Sequence, residues 1–132
     1  MSLIVSLVMS LTIFRRRISP LRSETFPVKV GEYADGTPIG LTVRVKVGNR
    51  DGPRIAMLGL QHGDEYCGLE ISNRVFDDVE PTEFRGSIIS IPVSNPLAFN
   101  ASERASPPSM GYENLNMNRV WPGDSKGLLM ER

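Results

Sequence analysis

The chain has one cysteine, one histidine and no surplus of charge of either sign. It also lacks an apolar run long enough to span a bilayer. Each shortage excludes something. A single thiol, Cys67, cannot close an internal disulfide, so no disulfide framework holds this fold, and a reducing, cytoplasmic location fits. Fifteen basic residues against fifteen acidic ones leave no electrostatic footprint for nucleic acid. The same balance says nothing about oligomeric state. The apolar stretch from Leu3 to Phe14 falls short of the roughly 20 residues that a membrane helix needs. A secretory signal carries its positive charge ahead of its apolar region, whereas Arg15, Arg16 and Arg17 follow it here. No small-residue cleavage site comes after them. We therefore expect no membrane association, and residues 1–25 read as an apolar and basic extension without fixed structure.

What is present is ordinary for a globular protein. A length of 132 residues predicts one domain with a real core, and 40% apolar and 23% charged residues are typical of one. "GLTVRVKVG" alternates Leu41, Val43, Val45 and Val47 with Thr42, Arg44 and Lys46, the two-residue period of a half-exposed strand. "NRDGP" follows with Asp51-Gly52, a hairpin signal. "RIAMLGL" is apolar without alternation, as in a strand buried on both faces of a parallel sheet. "DEYCGLEISNRVFDDVE" sets Cys67, Ile71, Val75 and Val79 at four-residue steps, predicting an amphipathic helix that ends before Pro81. Cys67 then reads as a small hydrophobe on its buried face. "GSIISIPV" (86–93) is a second buried strand, so strand, helix and strand make a parallel crossover unit in an α/β fold.

After Val93 the pattern breaks. Over thirty residues, with four prolines, show no sustained period. Such a stretch is usually functional when it is ordered. Asn95-Pro96 reads as the turn that leaves the strand. Trp121 and Phe99 belong either at a ligand pocket or in the packing of this long loop. Tyr112 and Glu113 receive no role. "LLMER" at the end looks like the first turn of a helix.

In open α/β sheets, ligands sit outside the carboxyl ends of the parallel strands. "LQHGDEYCG" lies there, with His62 and Glu65 three residues apart on either side of a helix start. Imidazole plus carboxylate suits zinc, and a catalytic zinc takes three protein ligands and leaves one position open. A plainer explanation competes, because Asp64 and Glu65 are also what a helix N-terminus favours for capping and dipole reasons. The downstream loop adds Arg104 and the pair Asn118-Arg119. A hydrolase that attacks an amide needs a cation where negative charge develops on the carbonyl oxygen. An arginine fork also holds a substrate carboxylate bidentately. Taken singly, each of these arginines reads as a solvated surface charge; in order after two parallel strands they form a set.

"GLQHGDEYCG", "NPLAFNASER" and "NLNMNRVWPG" resemble the successive motifs of the succinylglutamate desuccinylase/aspartoacylase family, relatives of the zinc carboxypeptidases, over roughly residues 30 to 132. The resemblance implies a partial three-layer sandwich on a mixed, mostly parallel sheet, with residues 26–132 as the N-terminal part of a zinc-hydrolase catalytic domain. It places the zinc pair on His62 and Glu65 and the oxyanion-side arginine on Arg104. The pair that holds the substrate carboxylate falls on Asn118 and Arg119. It implies hydrolysis of the amide of a small N-acyl amino acid. The family's third zinc ligand is a later histidine and its general base a later glutamate. With His62 the only histidine, both are expected beyond Arg132, and the fragment by itself is expected to be inactive. Two other readings stay open. One is a carboxypeptidase-like peptide hydrolase in which Arg119 holds a peptide C-terminus. The other is an inactive module that binds a carboxylate ligand or a protein through Arg104 and Arg119.

Overall fold

The computed structural model describes residues 10–107, 116–127 and 129–131. It consists of a small hairpin set against a mixed four-stranded sheet. In chain order the strands are β1 (Leu11–Ile13), β2 (Arg16–Ile18), β3 (Arg22–Glu32), β4 (Pro38–Val47) and β5 (Arg54–Leu58). Helix α1 (Cys67–Asp78), strand β6 (Ser87–Ile91) and helix α2 (Pro96–Ala101) follow, with a 3-10 turn at Met117–Arg119. The main sheet runs β3-β4-β6-β5. Strands β3 and β4 pair antiparallel, as do β4 and β6, and β5 runs parallel to β6. The α/β class and the mixed sheet are as expected, with the parallel share confined to the β5–β6 pair.

The N-terminal reading needs correction. Residues 10–25 are not an unstructured extension, and residues 1–9 lie outside the described set. Phe14 and Arg15 both take positive φ, 48° and 62°, and close a two-residue turn that lets Leu11 face Ile18 across the ladder. These two are 5% and 0% exposed and join Phe26, Val43, Val45 and Val47 in one core cluster. The guanidinium of Arg16 lies over the Phe26 ring at 4.6 Å. Within the apolar run, Leu11–Ile13 is a strand, and its Leu11 has a core to enter.

The Asp51-Gly52 signal does not make a hairpin, because β6 lies between β4 and β5. The turn instead receives the start of β6. Gly86, at φ 88°, donates its N–H to Arg50 O at 2.8 Å, and Ser87 N–H bonds Pro53 O at 3.0 Å. That positive φ is open to glycine without strain. Strand β5 is correspondingly not buried on both faces. It ends the order of described strands, and Ile55 is 55% exposed.

Helix α1 turns a different face to the sheet from the one its apolar steps imply. Ser72 and Phe76 are its buried residues. Ile71 and Val75 are exposed, and so is Cys67. The cause lies in β4, where Lys46 is buried and Arg44 partly covered while Thr42 stays exposed. Lys46, only 6% exposed, donates to the carbonyls of Phe76 and Val79. Arg44 reaches Asn73 and Asp77. Both cations lie over the Phe76 ring, at 4.1 Å for Arg44 and 4.7 Å for Lys46. Cation–π contact and the unpaired carbonyls at the helix C-terminus outweigh the aliphatic stripe.

A second core cluster, Ile39, Leu97, Leu129 and Met130, pins the last described residues to β4 and α2. Leu129–Glu131 is a turn rather than the expected first turn of a helix. Leu128 and Arg132 lie outside the described residues, as do Tyr112 and Glu113.

Candidate metal and substrate site

The loops after β5 and β6 are tied together beyond the strand ends. Gly59 N–H bonds Ile91 O at 3.0 Å, Ser94 N–H bonds Gly59 O at 2.9 Å and Asn95 N–H bonds Leu60 O at 3.0 Å. Asn95 is 0% exposed and serves both loops. Its Oδ1 accepts from Ala98 N–H and from Ser106 Oγ, each at 3.1 Å, and its Nδ2 donates to Gln61 O at 3.3 Å. Asn95-Pro96 is therefore the cap and first residue of α2 rather than a simple turn. Gly63 is buried against the same helix, where a Cβ would collide with the backbone of Ala98 and Phe99. The His62 loop is thereby held on α2 by contacts that leave no slack.

His62 and Glu65 come together as the sequence implies. Nδ1 of His62 lies 3.0 Å from Oε1 of Glu65, and the imidazole is nearly buried, at 7% side-chain exposure, where the carboxylate is at 54%. Glu65 stands ahead of α1, which begins at Cys67, and no side chain caps that helix. The plainer explanation of Glu65 as a capping residue thus loses its contact. The same Oε1 receives Arg104 Nη1 at 2.6 Å. The hydrogen bond from Arg104, and after it that from His62, holds the Glu65 carboxyl below its ordinary range.

On its other side His62 Nε2 meets Asn116 Oδ1 at 3.1 Å. Sequence reasoning missed Asn116. The signal was its position two residues ahead of Asn118, because its Oδ1 also accepts the Asn118 N–H at 3.0 Å and caps the 3-10 turn. An open cleft of about 640 Å³ is lined by His62, Glu65, Tyr66 and Asn118 among others. Arg119 does not join it: its Nη1 bonds the neighbouring Asn118 carbonyl at 3.0 Å. Phe99 packs edge-on to Tyr66 at 6.2 Å. Trp121 is 57% exposed and lines a separate apolar cavity of about 210 Å³ that shares Leu58 with the cleft.

The donor set fits zinc. Two ligands at roughly 2.0–2.1 Å from a tetrahedral ion stand ~3.4 Å apart, so the His62–Glu65 pair needs only a slight opening. The Asn116 carbonyl oxygen on Nε2 supplies the outer support that a ligating imidazole ordinarily has. Among the described residues no group of three or more His, Cys, Asp or Glu side chains is placed to hold a metal. No described helix is long and apolar enough to cross a membrane.

Residues 51–132 match the succinylglutamate desuccinylase/aspartoacylase catalytic domain. The chain is 32% identical over 106 residues to an N-alpha-acetyl-L-2,4-diaminobutyric acid deacetylase of Halomonas elongata, covering 80% of this chain and 29% of that protein. An aspartoacylase family protein of Mesorhizobium loti superposes with a TM-score of 0.69 at 31% identity, over 83% of this chain and 33% of that one. The product-bound ectoine utilization protein of Ruegeria pomeroyi does so with a TM-score of 0.68 at 27% identity, over 85% and 35%. The chain thus spans about a third of the length of these relatives.

Proposed function

The chain belongs to the succinylglutamate desuccinylase/aspartoacylase family, and from that premise we propose that it serves a zinc-dependent amidohydrolase. The reaction releases a carboxylic acid and a free amine from a small N-acyl amino acid. The observation that carries this reading is the convergence of His62 Nδ1 and Glu65 Oε1, 3.0 Å apart, at the carboxyl end of a parallel strand pair. His62 and Glu65 would hold the zinc. When bound, zinc supplies a Lewis acid and lowers the pKa of water.

The remaining roles belong to the chain's own residues. With Glu65 serving as a ligand, the Arg104 guanidinium would be free to turn to the carbonyl oxygen of the scissile amide. Asn118 lines the cleft from the 3-10 turn. Arg119 reaches the substrate carboxylate once released from the Asn118 carbonyl, a rotation of an exposed side chain. The acetyl group named for the Halomonas elongata relative makes N-acetyl amino acids the first substrates to try. The exposed single thiol of Cys67 fits a reducing compartment, and we place the protein in the cytoplasm.

The test is release of free carboxylic acid by the full-length gene product, from N-acetyl and N-succinyl amino acids and from dipeptides. Chelator-sensitive release from the N-acyl substrates is the expected result. Cleavage of dipeptides alone would move the assignment to peptide hydrolysis, and a protein that takes up no metal would overturn it. The 132 residues by themselves are expected to bind zinc weakly and to turn nothing over. Two protein ligands leave the ion largely to water and buffer.

A further inference from the structure

We propose that the apolar cavity beside the cleft receives the side chain of the substrate's amino acid. The preferred substrates are then N-acyl derivatives of apolar amino acids such as leucine, methionine and phenylalanine. The inference rests on the amidohydrolase reading above and adds to it the class of amino acid. Two elements join cavity and cleft. Leu58, the last residue of β5, lines both. The 3-10 turn, with its cap Val120, stands between them. Asn118 lines the cleft, whereas Met117 and Val120 line the cavity. A substrate carboxylate held at Asn118 and Arg119 has the amino acid side chain on the adjacent carbon. That side chain starts beside the residues that wall the cavity.

The cavity has the chemistry of a side-chain pocket. Leu41, Ile91, Met117, Val120 and Met130 form most of its wall, with Ser94 and Glu131 as polar groups. Its volume of about 210 Å³ is below the roughly 300–1,000 Å³ of a site that takes a whole small molecule. It suits one apolar part of a substrate. Among the described residues no lysine, arginine or histidine lines it. An acidic side chain would therefore meet apolar walls and the Glu131 carboxylate, without the partner that a buried charge needs. The wall is also set before a ligand arrives, because Met117 and Val120 pack against the core cluster that contains Met130. Trp121 differs: it lines the cavity yet is 57% exposed. An apolar side chain seated there would cover an indole that the fold leaves in water.

The test is a comparison of kcat/KM for the full-length gene product across a set of N-acetyl amino acids. The set holds N-acetyl-leucine, -methionine and -phenylalanine, N-acetylglycine, N-acetylaspartate and N-acetyl-2,4-diaminobutyrate. We expect the three apolar substrates to exceed N-acetylglycine by at least about 10-fold, the scale of even one methylene in an apolar pocket. They should exceed the acidic and cationic substrates as well. In Trp121→Ala the preference for N-acetylphenylalanine over N-acetylglycine should shrink about 10-fold. Both rates of that ratio come from one preparation, so it does not depend on how much of the variant folds. An apolar series no better than N-acetylglycine, or a Trp121→Ala enzyme with the wild-type ratio, would overturn the proposal. So would a preference for N-acetylaspartate, or one for N-acetyl-2,4-diaminobutyrate, which would point to the Glu131 carboxylate instead. Each of these results leaves the amidohydrolase reading standing. Hydrolysis of none of the six would overturn that reading, and the cavity assignment with it.

Discussion

Arg104 Nη1 lies 2.6 Å from Glu65 Oε1, the same oxygen that faces His62 Nδ1 at 3.0 Å. The guanidinium therefore competes with a metal for that carboxylate in the resting chain. We expect Arg104→Ala to tighten zinc binding by a few-fold, the scale of an exposed ion pair. The same change should lower kcat of the full-length enzyme by about 10²–10³, the loss typical of one oxyanion donor. Chelator competition and steady-state kinetics read the two effects separately. Weaker zinc binding in Arg104→Ala would show that the arginine supports the carboxylate instead of competing for it.

The pH dependence of this pair has a definite sign. Arg104 first, and His62 second, hold the Glu65 carboxyl below its ordinary value of 4.5. A folded-state value that is lowered contributes stability fully present above the ordinary range and lost as pH falls through the lowered value. In Arg104→Ala the Glu65 titration, followed by the ¹³C shift of its carboxyl, should move up toward 4.5. An unchanged midpoint would mean that the hydrogen bond from Arg104 does not persist in solution.

Lys46 closes the C-terminus of α1 from the sheet, through the carbonyls of Phe76 and Val79. Lys46→Met keeps the packed stem but leaves these carbonyls without their donor. We expect a loss of about 1–3 kcal/mol in urea unfolding. A variant as stable as the wild type would show that water serves those carbonyls equally well.

Gly63 has no room for a side chain against Ala98 and Phe99. Gly63→Ala should cost about 1–3 kcal/mol by overpacking and should weaken zinc binding as well, since it pushes the His62 loop off α2. Denaturation and chelator competition on the same sample check both. Unchanged metal affinity would separate the loop's placement from the site.

Much of the site was legible in the sequence because its signals are local. A histidine and a glutamate three residues apart, at the end of an apolar strand, lead to His62 and Glu65 with no knowledge of what lies across the fold. Asn116 was not legible in the same way: its partner is 54 residues distant, and asparagine in a loop reads first as a turn former. The face of α1 was misread for a similar reason. Cys67, Ile71 and Val75 form the more apolar stripe, but the cations that settle the packing, Arg44 and Lys46, sit on another element. The first hairpin gave little warning, since its turn residues Phe14 and Arg15 are neither glycine nor asparagine. Ile18→Ala tests that hairpin directly. A fully buried core position should cost about 2–5 kcal/mol, whereas an unstructured extension would leave stability unchanged.

The central claim is that His62 and Glu65 form the protein's share of a zinc site. The most direct measurement is zinc binding to the wild type and to His62→Ala and Glu65→Ala by competition with a chromophoric chelator. The account predicts one weakly held zinc per chain that either substitution abolishes. Zinc held with unchanged affinity by both variants, or no zinc on the wild type, would contradict it.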